Sequence, residues 1–366
     1  MLITQSDALL PADTAATGEA AAGRSCPLHY RYGPAVFDRP AEARTEALYV
    51  VGGLYGNEPA LASVLALFAR EPGVAGASKR LVFNGDFHWF DTDPGAFARI
   101  QAAVLAHDAL RGNVETELAD TAQDDGADDG AGGNAGCGCA YPDWVGDGVV
   151  ERSNRIHQRL LATARRFPAL RAQLAALPMH RRIDVGALRV AIVHGDAQSL
   201  AGWGFAQEHL RDAAHRAEVR RWFDAARVDA FACSHTCLPI FHTLRRASAA
   251  SAASDPGDAG ARLVLNNGAA GMPNFRADPA GLLTRIALTP FDGPQRRHGL
   301  VWRPAGEPGA APLHIDAIAV DADPARWQPQ FLAQWPAGSD AHQSYWDRIQ
   351  AGPAYTPAQA TLTSED

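Results

Sequence analysis

The sequence predicts an α/β fold, and three observations predict it. Apolar runs of strand length end in Gly turns twice in succession, at Ala47–Val51 into Gly52-Gly53 and at 81–84 into Gly85-Asp86. Between them, Leu61, Val64, Leu65 and Phe68 recur at helical spacing over 58–70, which is strand–turn–helix–strand grammar. Further along, polar residues able to hold a ligand follow several apolar runs: Asn57, Asp86, Asn113, His194 and His235. In open α/β sheets such strand ends line the crevice where ligands bind. Asp86 alone reads equally well as the cap of a following helix. The joint pattern favours a site.

Length and charge narrow the function. A chain of 366 residues, 47% apolar, has room for a large core in one elaborated domain or two. The net charge of −8, from 33 basic against 41 acidic residues, disfavours a duplex nucleic-acid binder. Five cysteines make no disulfide framework in so long a chain. The first residues lack a basic segment followed by an apolar one, and no run approaches the ~18 apolar residues of a membrane span. A cytoplasmic protein with no membrane partner is the expectation.

Taken in order, residues 1–27 read as a flexible arm, 28–297 as the main domain and 298–366 as a C-terminal extension packed on it or trailing it. A helix is predicted over 94–109, with Phe97, Ile100 and Val104 on one face. The Asp- and Gly-rich stretch 119–136 reads as a low-complexity insertion. Two helices follow within 149–177, divided at Phe167-Pro168. Runs 184–188 and 189–193 read as a hairpin delivering His194, and 229–233 as a strand delivering His235. After a helix at 218–226 and a low-complexity tip at 248–260, strands are expected at 262–265, 282–288, 298–302 and 315–320, then a helix at 327–335.

The polar turns fall in a recognisable order: Gly53-Leu-Tyr55-Gly-Asn57, Gly85-Asp86, Gly112-Asn113-Val114-Glu115, His194-Gly195, Ser234-His235-Thr-Cys237 and Asn267-Gly268-Ala269. This series resembles the calcineurin-like metallophosphoesterases, in particular the bacterial branch related to small phosphodiesterases, diadenosine tetraphosphatases and PrpE-type phosphatases. Their motifs are D-x-H-G-N, G-D, G-N-H-[DE], H-G and G-H-T-H, followed by a turn like N-P-G-S. The likeness covers about residues 47–290. It implies a sandwich of two mixed β-sheets flanked by helices, a divalent transition metal (manganese, iron or zinc) and a small phosphorylated substrate.

Residue by residue, the resemblance assigns one metal to Asp86, Asn113, His194 and His235, all intact. The other metal's ligands fall on Gly53, Tyr55 and Cys237; Gly53 cannot ligate, and Cys237 is a candidate thiolate ligand. Tyr55 and Asn57 are placed beside the substrate. Val114 stands where the family has a histidine that protonates the leaving group. His88, two residues past Asp86, is the candidate replacement as acid or base, with Asp86 the other catalytic candidate. Cys137 and Cys139 read as ordinary thiols near a loop or, alternatively, as a flap over the site. The expectation is a metal-dependent phosphoester hydrolase with an incomplete dinuclear site. The alternatives are a catalytically degenerate metal-binding module and a non-hydrolytic metalloenzyme.

Overall fold

The computed structural model describes residues 22–24, 26–71, 78–121, 136–244, 261–305 and 311–363. Most of the expected arm, the insertion between 122 and 135 and the tip at 248–260 lie outside the described residues. Thirteen described strands run in chain order: β1 Ala43–Thr45, β2 Ala47–Val51, β3 Lys79–Asn84, β4 Asp108–Leu110, β5 His180–Val185, β6 Leu188–Val193, β7 Ala230–Cys233, β8 Ile240–Leu244, β9 Arg262–Asn266, β10 Gly281–Ala287, β11 Arg296–Trp302, β12 Leu313–Val320 and β13 Thr361–Thr363. They form a six-stranded sheet, β11-β12-β10-β2-β3-β4, and a seven-stranded one, β1-β5-β6-β7-β9-β8-β13. Both sheets are mixed and helices flank them, so the chain is an α/β sandwich of two sheets.

Alternation along the strands explains the layering. In β2, Leu48 and Val50 enter the core between the sheets with Val190, Ile192, Leu265 and Ile286. Tyr49 and Val51 point the other way, against Ile100, Val104, Ile156 and Leu160 of the Pro94–Leu105 and Asp147–Ala164 helices. A strand buried on both faces needs a continuous apolar run rather than alternation of apolar and polar residues, and all five residues of β2 are buried. The Ala213–Ala226 helix covers the outer face of the other sheet through Val219, Trp222 and Phe223.

Two expectations need correction. The helix expected over 94–109 ends at Leu105, because Asp108–Leu110 pairs in parallel with β3. The hairpin turns at Gly186, so its strands span His180–Val185 and Leu188–Val193. Residues beyond 298 contribute β12 beside β10, two helices at Pro324–Gln334 and Asp340–Ala351, and β13 at the edge of the seven-stranded sheet.

One buried ionic group lies in the six-stranded sheet. Arg285 of β10 is in register with Tyr49 on one side and Asp316 on the other. Its guanidinium donates to both Glu71 oxygens, at 2.8 and 2.5 Å, and Tyr49 donates its hydroxyl to the same carboxylate. Arg285 is fully buried and Glu71 nearly so.

Candidate metal centre

The strands β2, β3 and β4 run parallel in one sheet, and β6, β7 and β9 run parallel in the other. Their C-terminal ends meet at one edge of the sandwich. Asn84, the last residue of β3, joins the sheets there by donating its amide to the Val193 carbonyl at the end of β6 (2.8 Å). Gly85 and Asp86 then both take positive φ, 77° and 54°, which turns the Asp86 carboxylate back toward β6. Gly85 has no alternative: a Cβ there would stand 2.5 Å from the Gly112 nitrogen and 2.6 Å from Nδ1 of His194.

Four polar atoms converge at this edge. His194 Nε2 lies 3.3 Å from Asp86 Oδ2, 3.1 Å from Asn113 Oδ1 and 3.2 Å from His235 Nδ1. The outer bonds of each ligand fix what these atoms present. His194 Nδ1 meets the Asn84 carbonyl at 2.8 Å, and His235 Nε2 meets the Cys139 carbonyl at 3.0 Å. A carbonyl only accepts, so each ring carries its proton on the outer nitrogen and turns a bare lone pair inward. Asn113 donates its amide to the Cys137 carbonyl at 2.8 Å, which aims its oxygen inward too. A carboxylate oxygen, an amide oxygen and two imidazole lone pairs thus face one another with no donor among them. Such an arrangement suits a positive charge at its centre. Backbone carbonyls that hold the outer N–H of a histidine are also how proteins orient imidazole toward a metal.

A proton and a cation compete for the inward lone pair of His194. Burial alone would push His194 down, but the Asp86 carboxylate outweighs it and raises the ring above its ordinary value. Asp86 is driven up by burial and more strongly down by His194, so it stays ionised. His235 is lowered to about 4 by burial and by His194, which leaves it neutral. Asp86, His194 and His235 are all buried and have ligand atoms within 4.8 Å of one another. Asn113, expected as the fourth ligand, presents its Oδ1 to the same group, 3.1 Å from His194 Nε2. The donors fit a borderline divalent cation; neither their chemistry nor their spacing selects among manganese, iron and zinc.

The other expected site residues lie outside this convergent group. His88 does not face this cluster: its Nδ1 lies 2.6 Å from Asp91 Oδ2, and its ring stacks on Phe97 at 3.9 Å. It is fully buried, and Asp91 overcomes the downward pull of burial to raise its pKa. Asn57 is also fully buried. Its oxygen caps the Glu58–Ala69 helix by accepting from the Ala60 N–H, and its amide donates to the Gly271 carbonyl. Tyr55 and Cys237 meet each other, with Oη and Sγ 2.7 Å apart. The Cys237 thiol donates to the His235 carbonyl, so the Tyr55 hydroxyl donates to the sulfur. Burial raises the thiol's pKa despite Arg348 and Tyr55, so it stays protonated. Cys237 is therefore outside the convergent group, and Cys237→Ser is expected to leave the metal content of purified protein unchanged by elemental analysis. Gly53 belongs to the same corner: a Cβ there would overlap the Cζ–Oη end of Tyr55, so a side chain at 53 requires the Tyr55 ring to move.

Several supporting residues carry little sequence signal. Glu115 sits in a quoted motif, yet its role emerges only in three dimensions. It accepts from the Asp86 N–H at 2.8 Å, the Gly112 N–H at 2.9 Å and the His88 N–H at 3.3 Å, tying both ligand turns together. The Cys137–Cys139 loop does lie on the centre, but through its carbonyls rather than as a pair of thiol ligands. Trp203 donates its indole N–H to the same Cys139 carbonyl at 3.0 Å and stands edge to face with His235 at 5.3 Å.

No family model matches the chain, and no curated protein matches it. Among solved structures it is similar to a metallophosphoesterase from Sphaerobacter thermophilus, at 17% identity and a TM-score of 0.47, covering 84% of this chain and 100% of that one. It is similar to a hypothetical protein from Pyrococcus horikoshii OT3 at 14% identity and a TM-score of 0.49, covering 84% and 99%. A third likeness is to vacuolar protein sorting 29 from Cryptosporidium parvum, at 11% identity and a TM-score of 0.31, covering 75% and 98%. Among the described residues, no helix is long and apolar enough to cross a membrane. The sandwich of two mixed sheets is the architecture that the resemblance of the motifs implies.

Proposed function

We propose that this chain is a hydrolase of small phosphate esters that works from a single divalent cation held by Asp86, Asn113, His194 and His235. The observation that carries the reading is the convergence of four lone pairs with no donor among them, each aimed by a bond on its outer side. Bound there, such a cation would polarise a phosphoryl oxygen and lower the pKa of a coordinated water. The chain's own part is to hold the donors rigid. Glu115 fixes the turns at Asp86 and Gly112, Asn84 and Cys139 fix the imidazole tautomers, and Trp203 holds the Cys139 carbonyl in place. Asp86 at 6% and His235 at 6% exposure keep a narrow opening to solvent.

A second reading is a metal-stabilised binding module on the same fold. It is favoured by the lack of a proton donor at the expected positions: His88 turns to Asp91, and Val114 offers only its backbone N–H, which donates to Asp86 Oδ1 at 3.3 Å. The two readings separate in one assay. Wild type and Asp86→Ala, each supplied with manganese or zinc, are compared for hydrolysis of para-nitrophenyl phosphate and its bis-ester. Metal-dependent turnover that is absent from Asp86→Ala supports the hydrolase. Stoichiometric metal binding with no turnover of either ester supports the module.

A further inference from the structure

The Asp340–Ala351 helix brings to this edge of the sandwich a group that the ligand set does not use. Arg348 is 8% exposed, so its guanidinium is a nearly buried, permanent charge. Buried charges are ordinarily paired with an opposite charge. Arg348 is not: among the described residues it meets no carboxylate. Its bonds go to two backbone carbonyls, from Nε to Pro273 at 3.1 Å and from Nη2 to Cys237 at 2.9 Å. Nη1 makes no hydrogen bond among the described residues and is not sealed from solvent, so the remaining exposure of the side chain leaves this donor open to a ligand.

The position of that charge gives it meaning. The Cys237 carbonyl it holds is two residues beyond His235, and the Cys237 sulfur takes the Tyr55 hydroxyl at 2.7 Å. The guanidinium therefore stands at the flank of the metal centre occupied by Tyr55 and Cys237. One turn earlier on the helix, Tyr345 packs edge to face on Phe90 at 5.0 Å and fixes how the helix sits. With two carbonyls orienting the fork, the charge is held in advance of any ligand. A guanidinium held this way suits an oxyanion, because its planar N–H groups match phosphate oxygens.

We infer that Arg348 is a substrate-binding residue that donates to an oxygen of the phosphoryl group and supplies the second positive charge of a site with one cation. The inference rests on the phosphoester reading above. It also gives the C-terminal region a part in the site, since the helix that carries Arg348 lies beyond the last of the motifs.

The probe is inorganic phosphate, titrated calorimetrically into zinc-loaded, desalted wild type, Arg348→Met and Arg348→Lys, with metal content and unfolding temperature measured on the same samples. Arg348→Met is expected to bind phosphate about tenfold to a hundredfold more weakly, the loss typical of a hydrogen bond to a charged group, with zinc content unchanged. Arg348→Lys keeps the charge and is expected to lose less. Equal phosphate affinity in wild type and Arg348→Met overturns the inference, as does a zinc-loaded wild type that binds no phosphate; neither result touches the metal centre. Equal losses in both variants, in step with a drop in unfolding temperature, would make Arg348 only an anchor of its helix and overturn it too. A wild type that retains no zinc overturns the reading of the centre, and this inference with it.

Discussion

His194→Ala is expected to release the cation and to abolish the stabilisation that cation confers. His194 Nε2 is the atom to which the other three ligand atoms are measured at 3.1–3.3 Å, so its removal opens the middle of the cluster. Changes to residues that merely orient a ligand cost about 10–100-fold in metal affinity. Losing the ligand itself is expected to cost at least the upper end of that range. A ligand that binds only the folded state stabilises it by RT ln(1 + [L]/Kd), and so raises the unfolding temperature. Zinc added in slight excess should therefore raise the unfolding temperature of wild type and leave that of His194→Ala unmoved. Equal zinc-induced shifts in the two proteins would remove His194 from the site.

Glu71→Ala is expected to destabilise the fold by about 3–5 kcal/mol, the cost of stranding a buried charge by deleting its partner. The stranded group is the Arg285 guanidinium, fully buried in β10, which would keep only Asp316 Oδ2 at 3.3 Å and Thr289 as partners. Chemical denaturation of metal-free protein measures this without interference from the metal. Acid should act in the same direction. Burial would raise the Glu71 pKa, but the bonds from Arg285 and Tyr49 outweigh it and hold it below its ordinary value. A carboxyl depressed in the folded state contributes stability at pH above its unfolded value and loses it as pH falls through the folded value. Wild type should lose this share on acidification below the ordinary carboxylate range, and Glu71→Ala should lack it. A denaturation midpoint unchanged by the substitution would show that Asp316 and Thr289 suffice.

The convergence of Asp86, His194 and His235 was legible because each follows an apolar run. Asp86, His194 and His235 each follow the end of a buried strand; β6 and β7 are parallel neighbours, and β3 of the other sheet meets them where Asn84 joins the two sheets. What the sequence hides is the support. Asn84, Cys137 and Cys139 act through main-chain carbonyls, and a carbonyl leaves no mark in the residue type. His88 shows the opposite failure. Spacing of two residues predicts a shared side only in extended chain. Here Asp86 has φ of 54° and Trp89 of 154°, so the chain coils and Asp91 captures the ring.

Fold elements were missed for similar reasons. Ala43–Thr45 and Asp108–Leu110 are three residues each, too short for a period to show, and exist because a neighbouring strand offers a partner. The Arg285–Glu71 contact joins residues 214 apart in sequence, and nothing local to either predicts the other. The Asp340–Ala351 helix is mostly polar, with Ala341 and Ile349 buried beside Arg348, and its place is settled by packing on the Asp147–Ala164 helix.

The most direct measurement of the central claim is X-ray absorption at the zinc edge of protein loaded with zinc and freed of excess metal. The account predicts one zinc per chain, bound by two imidazoles and oxygen donors at about 2.0–2.2 Å, with no sulfur shell near ~2.3 Å. A sulfur shell would bring Cys237, Cys137 or Cys139 into the coordination sphere and contradict the ligand set. Fewer than two imidazoles would contradict the joint placement of His194 and His235.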